Sequence, residues 1–572
     1  MNLKALLFDT RSIQRYIYSG NRLKTNIGAS YLVERVFEDV LLDRILQDIF
    51  GDEVDKESRF SKERVDWSAI QKQCAVAYIG GGNALLLFRE DTEDGIEKKV
   101  VKAFSRELLV RCPGLHIGAA FGPLDLATTD AFREGIDALY LKLKQNQATV
   151  FPQVNVPYTG LTLSCEVNGE AANYLDTGSL MEKVVKKGEA PRFFSQEIAK
   201  KTDAEKEASK ALRARFAKLF EKEQQTKAVF ENYVFPRSLD ELGQTRNETR
   251  GNYIAIVHVD GNNMGQKFRL LCKDLEDRRI LAADIKAKTE RGFAELLAGI
   301  LEKCEKGAFK DELDLAPQKK GSSILPIRPL ILGGDDVTFI CPAKVALSFT
   351  KRFMEILLTD SPEIQSEAAR RLDSCAGIAI LPTSYPFFRG YELAEQLCDA
   401  AKAKMRSTVS FREEEGKTAT ADDLRGTSWI DFAILHGEQA PTLEQIRERE
   451  YSGMRGMMHF GPYQVGNVQS EKGKSRVHNI ENLIDCVHLL QKGAKGNAKN
   501  PSALPMNKIK ELRNVLQQGE DEAKRFLTQL ERLEQELPHI DDWKAYEESL
   551  WYKDETPYVD AIEMMDFIPR EV

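Results

Sequence analysis

The order strand, hairpin, strand, helix runs twice along this chain, and that recurrence limits its folds more than any single motif. Lys4-Ala5-Leu6-Leu7-Phe8-Asp9-Thr10 is an apolar strand ending in an acid. Tyr253 to Gly261 is a second, with Asp260 at its end. Downstream of the first, Ala77 to Phe88 places Gly80-Gly81-Gly82-Asn83 between apolar arms; downstream of the second, Leu330 to Ile340 places Gly333-Gly334-Asp335-Asp336 in the matching position. A third apolar strand follows in each, Leu115 to Phe121 and Ser374 to Ile380, and then an amphipathic helix, Phe132 to Lys144 and Tyr391 to Lys404. Two copies predict a tandem of modules that mix sheet and helix, not one large sheet.

The copies differ in chemistry. Two-residue hairpin turns favour glycine because their central residues often need positive φ. A hairpin with acids at its tip presents oxygen ligands to hard divalent cations. Nucleotidyl transfer on a polymerase-type palm uses such a pair, about 3.5–4 Å apart. Gly-Gly-Asp-Asp taken alone also describes a solvated turn. The strand ending at Asp260 continues Gly261-Asn262-Asn263-Met264-Gly265. A carboxylate there can ligate a metal, and small residues let backbone N–H groups approach phosphate. The same pattern describes a plain Asn/Gly turn. A two-metal site needs ligands from separate strands, so both elements in one module favour the functional reading. Lys402, in Ala400-Ala401-Lys402-Ala403-Lys404, offers a point charge for a triphosphate or is a solvated lysine favoured by the helix dipole. The first hairpin carries Asn83 where the second carries acids, so the first module reads as a degenerate partner.

At 572 residues the chain has room for three to four domains. No apolar run approaches the length of about 20 residues that a membrane helix needs, and Asp9 comes too early for a signal peptide. The nine cysteines are scattered with no Cys-x-x-Cys pair, which predicts neither zinc ribbon nor disulfide framework and fits a reducing cytoplasm. A net charge of −8 argues against a globally basic nucleic-acid coat. The seven histidines form no His-Asp dipeptide and no His-Glu-x-x-His, so no histidine-built hydrolytic centre is expected. Residues of roughly 180–235 are rich in Lys, Glu and Ala and predict a solvated helix pair between the modules. Ile285, Phe293, Leu296, Leu297, Ile300 and Leu301 mark a helix inside the second module, and Phe411 to Asp423 an exposed loop. Two apolar stripes, Ile509, Leu512, Val515 and Leu516, then Phe526, Leu527, Leu530, Leu533 and Leu537, predict a small C-terminal bundle.

These residues carry a resemblance. Phe8-Asp9-Thr10-Arg11-Ser12-Ile13-Gln14-Arg15-Tyr16-Ile17, Asn26-Ile27-Gly28-Ala29-Ser30, Gly80 to Asn83, Val259-Asp260-Gly261-Asn262, the Gly333 to Asp336 hairpin, Tyr391 to Leu397 and Ala401-Lys402 follow one another in order, with Phe460-Gly461-Pro462-Tyr463 beyond them. The chain resembles the large palm-domain subunit of type III CRISPR effector complexes, the polymerase-like protein that makes cyclic oligoadenylates. The second module is also similar to the palm of GGDEF diguanylate cyclases, with Asp336 in place of that family's glutamate. The resemblance implies an α+β fold: two tandem ferredoxin-like palm domains with helical insertions and a C-terminal helical bundle. The divisions expected are a degenerate palm at 1–150, a helical linker at 151–248, a catalytic palm at 249–410, a connecting segment at 411–475 and a helical domain at 476–572.

For the site, the resemblance implies that Asp260, Asp335 and Asp336 gather two Mg²⁺ or Mn²⁺ ions, with Asp335 and Asp336 catalytic. Gly261, Asn262, Gly265, Gly333, Gly334 and Lys402 would hold the nucleotide. Two departures stand out. No HD nuclease segment precedes the first palm, and no cysteine near Cys165 completes a zinc site, so DNA cleavage is not expected. The leading expectation is a metal-dependent nucleotidyltransferase in the cytoplasm, making cyclic or linear oligoadenylate from ATP in antiviral defence. Its partners would be other type III subunits and guide or target RNA, with no membrane. The alternatives are a non-catalytic scaffold subunit that binds guide RNA and partner proteins, and a sensor that holds ATP without turnover.

Overall fold

Each acid-ended strand lies inside a mostly antiparallel sheet, with its hairpin on one side and its third strand on the other. In the first sheet, β1 (Asn2–Arg11) pairs with β4 (Asn83–Phe88) and β5 (His116–Asp125), while β3 (Cys74–Gly80) lies outside β4 and the short β2 (Val54–Asp55) forms the edge. In the second sheet, β6 (Tyr253–Gly261) pairs with β8 (Asp336–Pro342) and β9 (Ser374–Pro382), and β7 (Arg328–Gly333) lies outside β8. With helices α1 (Leu23–Arg35), α2 (Ile96–Arg111) and α3 (Thr129–Ala148) in the first module, the order is strand, helix, two strands, helix, strand. The second module repeats it with α5 (Leu275–Glu305), α6 (Ala343–Leu358) and α7 (Phe387–Thr408). That succession is ferredoxin-like. The fold is α+β with a duplicated palm topology. The computed structural model describes residues 2–61, 63–148, 160–176, 192–243, 252–307, 309, 322–408, 420–437, 442–466, 476–494 and 504–569.

Both central strands are apolar on both faces because both faces are covered. On β1, Leu6 and Phe8 enter one core while Leu3, Ala5 and Leu7 enter another. On β6, Ile254, Ala255, Ile256, Val257 and Val259 are all buried. Helix α7 covers the face that carries Ile256, where a Cβ on Gly390 would stand 2.8 Å from Ile256. The opposite face packs on α5, with the Phe293 and Phe339 ring centroids 5.9 Å apart.

Three sequence expectations change. The second sheet does not stop at residue 410: β10 (Ser428–Ile434) runs parallel to β9, and β11 (Tyr463–Val465) pairs with β10. The linker helix α4 (Gln196–Leu219) is not simply solvated. It buries Ile198, Lys201, Glu205, Ala208 and Phe216, and a Cβ on Gly28 of α1 would overlap the Lys201 carbonyl. Lys201 tolerates burial because its ammonium donates to the Tyr16 carbonyl at 2.5 Å, to Ser19 Oγ at 2.8 Å and to Glu197. In the C-terminal bundle the two stripes form helices Met506–Gln517 and Glu520–Arg532, but Leu533 falls just past the second helix and is 49% exposed. Of the expected 411–423 loop, residues 411–419 lie outside the described residues.

Candidate functional site

Both hairpins make two-residue turns, by different backbone routes. In the first, Gly80 pairs with Asn83, and Gly81 and Gly82 have φ of 58° and 78°. In the second, Gly333 pairs with Asp336 and Gly334 alone of the turn has positive φ, at 77°. The second turn therefore accepts a side chain at its last central position, and that residue is Asp335. Asp335 stands against the end of β6: a Cβ on Gly261 would lie 2.9 Å from Asp335 Cβ and 2.5 Å from Met264 Cε. Glycine at 261 thus keeps a space open in which Asp335 sits beside Asp260. Val337 pairs with Val259, so one step further along the antiparallel register Asp336 meets Asp260.

Helix α7 crosses this strand end and delivers Lys402, whose ammonium donates to Asp260 Oδ2. Burial by itself would lower Lys402, but the Asp260 charge and the hydrogen bond to it hold the lysine above its ordinary value. Burial, reinforced by the Asp260 charge, pushes Asp335 up to about 6. The same causes, with Asp335 added, raise Asp336 well above the usual carboxylate range. His258 lies 3.4 Å from Asp336 Oδ1 and 3.3 Å from Thr338 Oγ1. Burial lowers it to about 4, so it is neutral at pH 7 and forms no ion pair with the aspartate.

The donor set suits hard divalent cations: carboxylate oxygens from two strands, crowded enough to disfavour their own charges. Asp336 Oδ1 is buried and has no hydrogen-bond partner, which fits an oxygen that serves as a cation ligand. Among the described residues, no three His, Cys, Asp or Glu side chains already stand in ligand geometry for a metal ion. Lys402 currently supplies positive charge to Asp260.

The remaining sequence-predicted residues divide. Gly333 and Gly334 form the turn itself, and a Cβ on Gly334 or Gly265 would meet nothing within 4 Å, so backbone is open there. Asn262 faces inward. It is 1% exposed, its N–H donates to the Asp373 carbonyl at 2.9 Å, and its amide donates to the Thr427 carbonyl at 3.1 Å. It braces the turn, with its backbone donor already in use. Sequence reasoning missed the buried pair Lys267–Asp373, 3.5 Å apart, which lies under the same turn. It also missed His258, whose signal was a polar residue in the middle of an apolar strand.

The first module keeps the frame of this site and one of its charged groups, Asp9, with the others replaced by neutral residues. Asp9 pairs with Asn83 across the strands, as Asp260 meets Asp336. Gln147, near the end of α3, donates to Asp9 Oδ2 at 2.6 Å, in the role Lys402 plays for Asp260. Gly82 replaces Asp335.

Residues 253–410 match the family described as Cas10/Cmr2, second palm domain. The resemblance to the palm-domain subunit of type III CRISPR complexes therefore holds over the module that carries the three aspartates. No curated protein matches the chain. Solved structures of Csm1–Csm4 cassettes are similar at low identity. The complex with cA4 is 13% identical, with 99% of this chain and 69% of that one covered and a TM-score of 0.45. The complex with pppApApA gives 13%, 99%, 69% and 0.46, and the apo cassette 11%, 93%, 64% and 0.41.

Proposed function

We propose that the second palm is a metal-dependent nucleotidyltransferase that joins ATP into cyclic or linear oligoadenylate, in the manner of a type III CRISPR large subunit. The observation that carries this reading is the convergence of Asp335 and Asp336 from a hairpin tip on Asp260 and Lys402, within a Cas10/Cmr2-type second palm. Asp260, Asp335 and Asp336 would hold two divalent cations, Mg²⁺ or Mn²⁺, which when bound supply Lewis acidity for in-line displacement at an α-phosphate. Lys402 moves its charge from Asp260 to the triphosphate once the aspartate is otherwise neutralised. The open backbone at Gly334 and Gly265 lets phosphate approach closely. The first module, with Asn83 and Gln147 in place of charges, forms the wall against which the acceptor nucleotide rests. Catalysis is then positioning and electrostatics, without a covalent intermediate. The setting is the cytoplasm, with other type III subunits and guide and target RNA as partners; no described helix is long and apolar enough to cross a membrane.

Incubation with ATP and Mg²⁺ or Mn²⁺ should release pyrophosphate and yield oligoadenylate resolved by mass spectrometry. The double variant Asp335→Ala, Asp336→Ala should lose both. Wild-type protein that yields no product from any nucleotide, alone or within a target-loaded complex, ends this reading.

A further inference from the structure

Both palms make the same turn after the strand that ends in an acid, and the second is clasped by a segment from beyond the palm. Three residues past Asp9 and Asp260, Ser12 and Asn263 take left-handed backbone, with φ of 52° and 56°. Such backbone is uncommon outside glycine, so its return at the same place marks one turn built twice. In the first module β5 forms the edge of the sheet, and Arg11 and Ser12 are exposed. In the second, Leu424 to Ser428 lies along the turn and leads into β10. The Leu424 carbonyl accepts from the Asn263 amide at 3.2 Å and the Thr427 carbonyl from the Asn262 amide at 3.1 Å. Ser428 Oγ accepts from the Ser374 N–H at 3.1 Å.

Asp373 joins these parts. It stands just before β9 and is 3% exposed. Its carbonyl accepts from the Asn262 N–H at 2.9 Å and its Oδ2 from the Gly426 N–H at 3.0 Å. Its Oδ1 lies 3.5 Å from the ammonium of Lys267, a buried residue of helix Met264–Leu270. Glycine is needed where the segments cross: a Cβ on Gly426 would stand 2.9 Å from Asp373 Oδ2 and 3.3 Å from Asn262 Nδ2. The joint is polar and incompletely met, since Asn262 Oδ1 and Ser374 Oγ are buried without a hydrogen-bond partner. An apolar joint of the same shape would serve stability as well, so stability alone does not account for it.

We infer that Asp373 is a positioning residue for Asp260: by tying the turn from Gly261 to Asn263 to the segment Leu424 to Ser428, it fixes the strand end from which the carboxylate is offered to divalent cations. The inference rests on the proposed reading of the acid site and adds to it that the site depends on residues beyond the 253–410 palm. The first module, with Gly82 and Asn83 where the second has Asp335 and Asp336, has no cations to hold and leaves its turn exposed.

The test uses the full chain and Mn²⁺ as probe, with binding read by electron paramagnetic resonance in the presence of a non-hydrolysable ATP analogue. In Asp373→Asn the amide has one acceptor oxygen and can serve Lys267 or Gly426 but not both. Gly426→Ala parts the segment from Asp373 and leaves the Lys267 pair intact, so it decides alone should Asp373→Asn fail to fold. Loss of an outer partner of a metal ligand weakens metal binding by about tenfold or more. Each variant should raise the Mn²⁺ concentration for half-saturation by that factor, and turnover should recover at saturating Mn²⁺. Ile300→Val, in the core beside α5, should lower the melting temperature and leave Mn²⁺ binding within twofold of wild type. Wild type that binds Mn²⁺ while the folded variants match it overturns this inference alone, as does an equal shift in Ile300→Val. Wild type that neither binds Mn²⁺ nor makes product overturns the inference together with the reading beneath it.

Discussion

Lys402 and Gln147 occupy equivalent posts on the helices that close the two palms, and each donates to the acid at the end of a first strand. The difference between them is one unit of charge. Burial raises Asp9, with the Gln147 hydrogen bond opposing that rise. A neutral amide cannot offset a carboxylate as an ammonium does, and it cannot follow a triphosphate electrostatically. Lys402→Gln should therefore give Asp260 the neutral partner that Asp9 has in the first palm. Loss of a charge-assisted contact of about 2–3 kcal/mol predicts kcat/KM for ATP lower by roughly 30–160-fold. The fold should be retained, because the amide still reaches Asp260 as Gln147 reaches Asp9. Steady-state pyrophosphate release checks this; a loss under threefold would place Lys402 outside the reaction.

At the scale of elements, the reach of Lys402 depends on how closely α7 lies on β9. A Cβ on Gly377 would overlap the Ala394 carbonyl oxygen and stand 2.6 Å from the Cys398 nitrogen. Backbone cannot yield as a side chain does, so Gly377→Ala should push α7 away from the sheet. Overpacking of this kind costs about 1–3 kcal/mol. The expected result is a lower denaturation midpoint together with impaired turnover, although residue 377 touches no nucleotide. Full activity in a destabilised Gly377→Ala protein would show that helix placement is not limiting. Such a contact is invisible in sequence, where Gly377 is one glycine in an apolar strand. What was legible came from short-range rules. Continuous apolar arms and glycine-rich turns marked both hairpins, and the repeat aligned Asn83 with Asp336. Period 3.6 found α3 and α7, each extended by a few residues at both ends. Missed were β10, of seven residues, and the three-residue β11, whose pairing partners lie far away in sequence. The buried face of α4 was missed for a related reason: Lys201 and Glu205 look solvent-facing until Glu197 and Arg237 are seen to pair with them.

At the scale of the whole molecule, the second palm sheet is fastened to the C-terminal helices by a buried polar lock. Asp431 on β10 receives Arg447 and His459, each at 2.9 Å. The other nitrogen of His459 lies 2.9 Å from Asp560, in helix Tyr558–Met564. The second oxygen of Asp560 accepts from the Phe460 and Gly461 N–H groups and from the Tyr463 hydroxyl at 2.7 Å. Burial pushes Asp560 up to about 7, against the Tyr463 hydroxyl, Arg447 and backbone donors that hold it down. A carboxyl raised in the fold relative to the unfolded chain binds its proton more tightly when folded. Its contribution is complete below the unfolded value near 4 and is lost as pH climbs through about 7. Between pH 6 and 8 the linkage amounts to about 1.4 kcal/mol. Amide exchange in Tyr558–Met564, corrected for its intrinsic pH dependence, should therefore show roughly tenfold more protection at pH 6 than at pH 8. Asp560→Asn removes the titrating group and should flatten that profile whatever it does to absolute stability. A wild-type profile already flat from pH 6 to 8 would mean that Asp560 stays ionised in the fold, with Arg447 and the donors to its Oδ2 outweighing its burial.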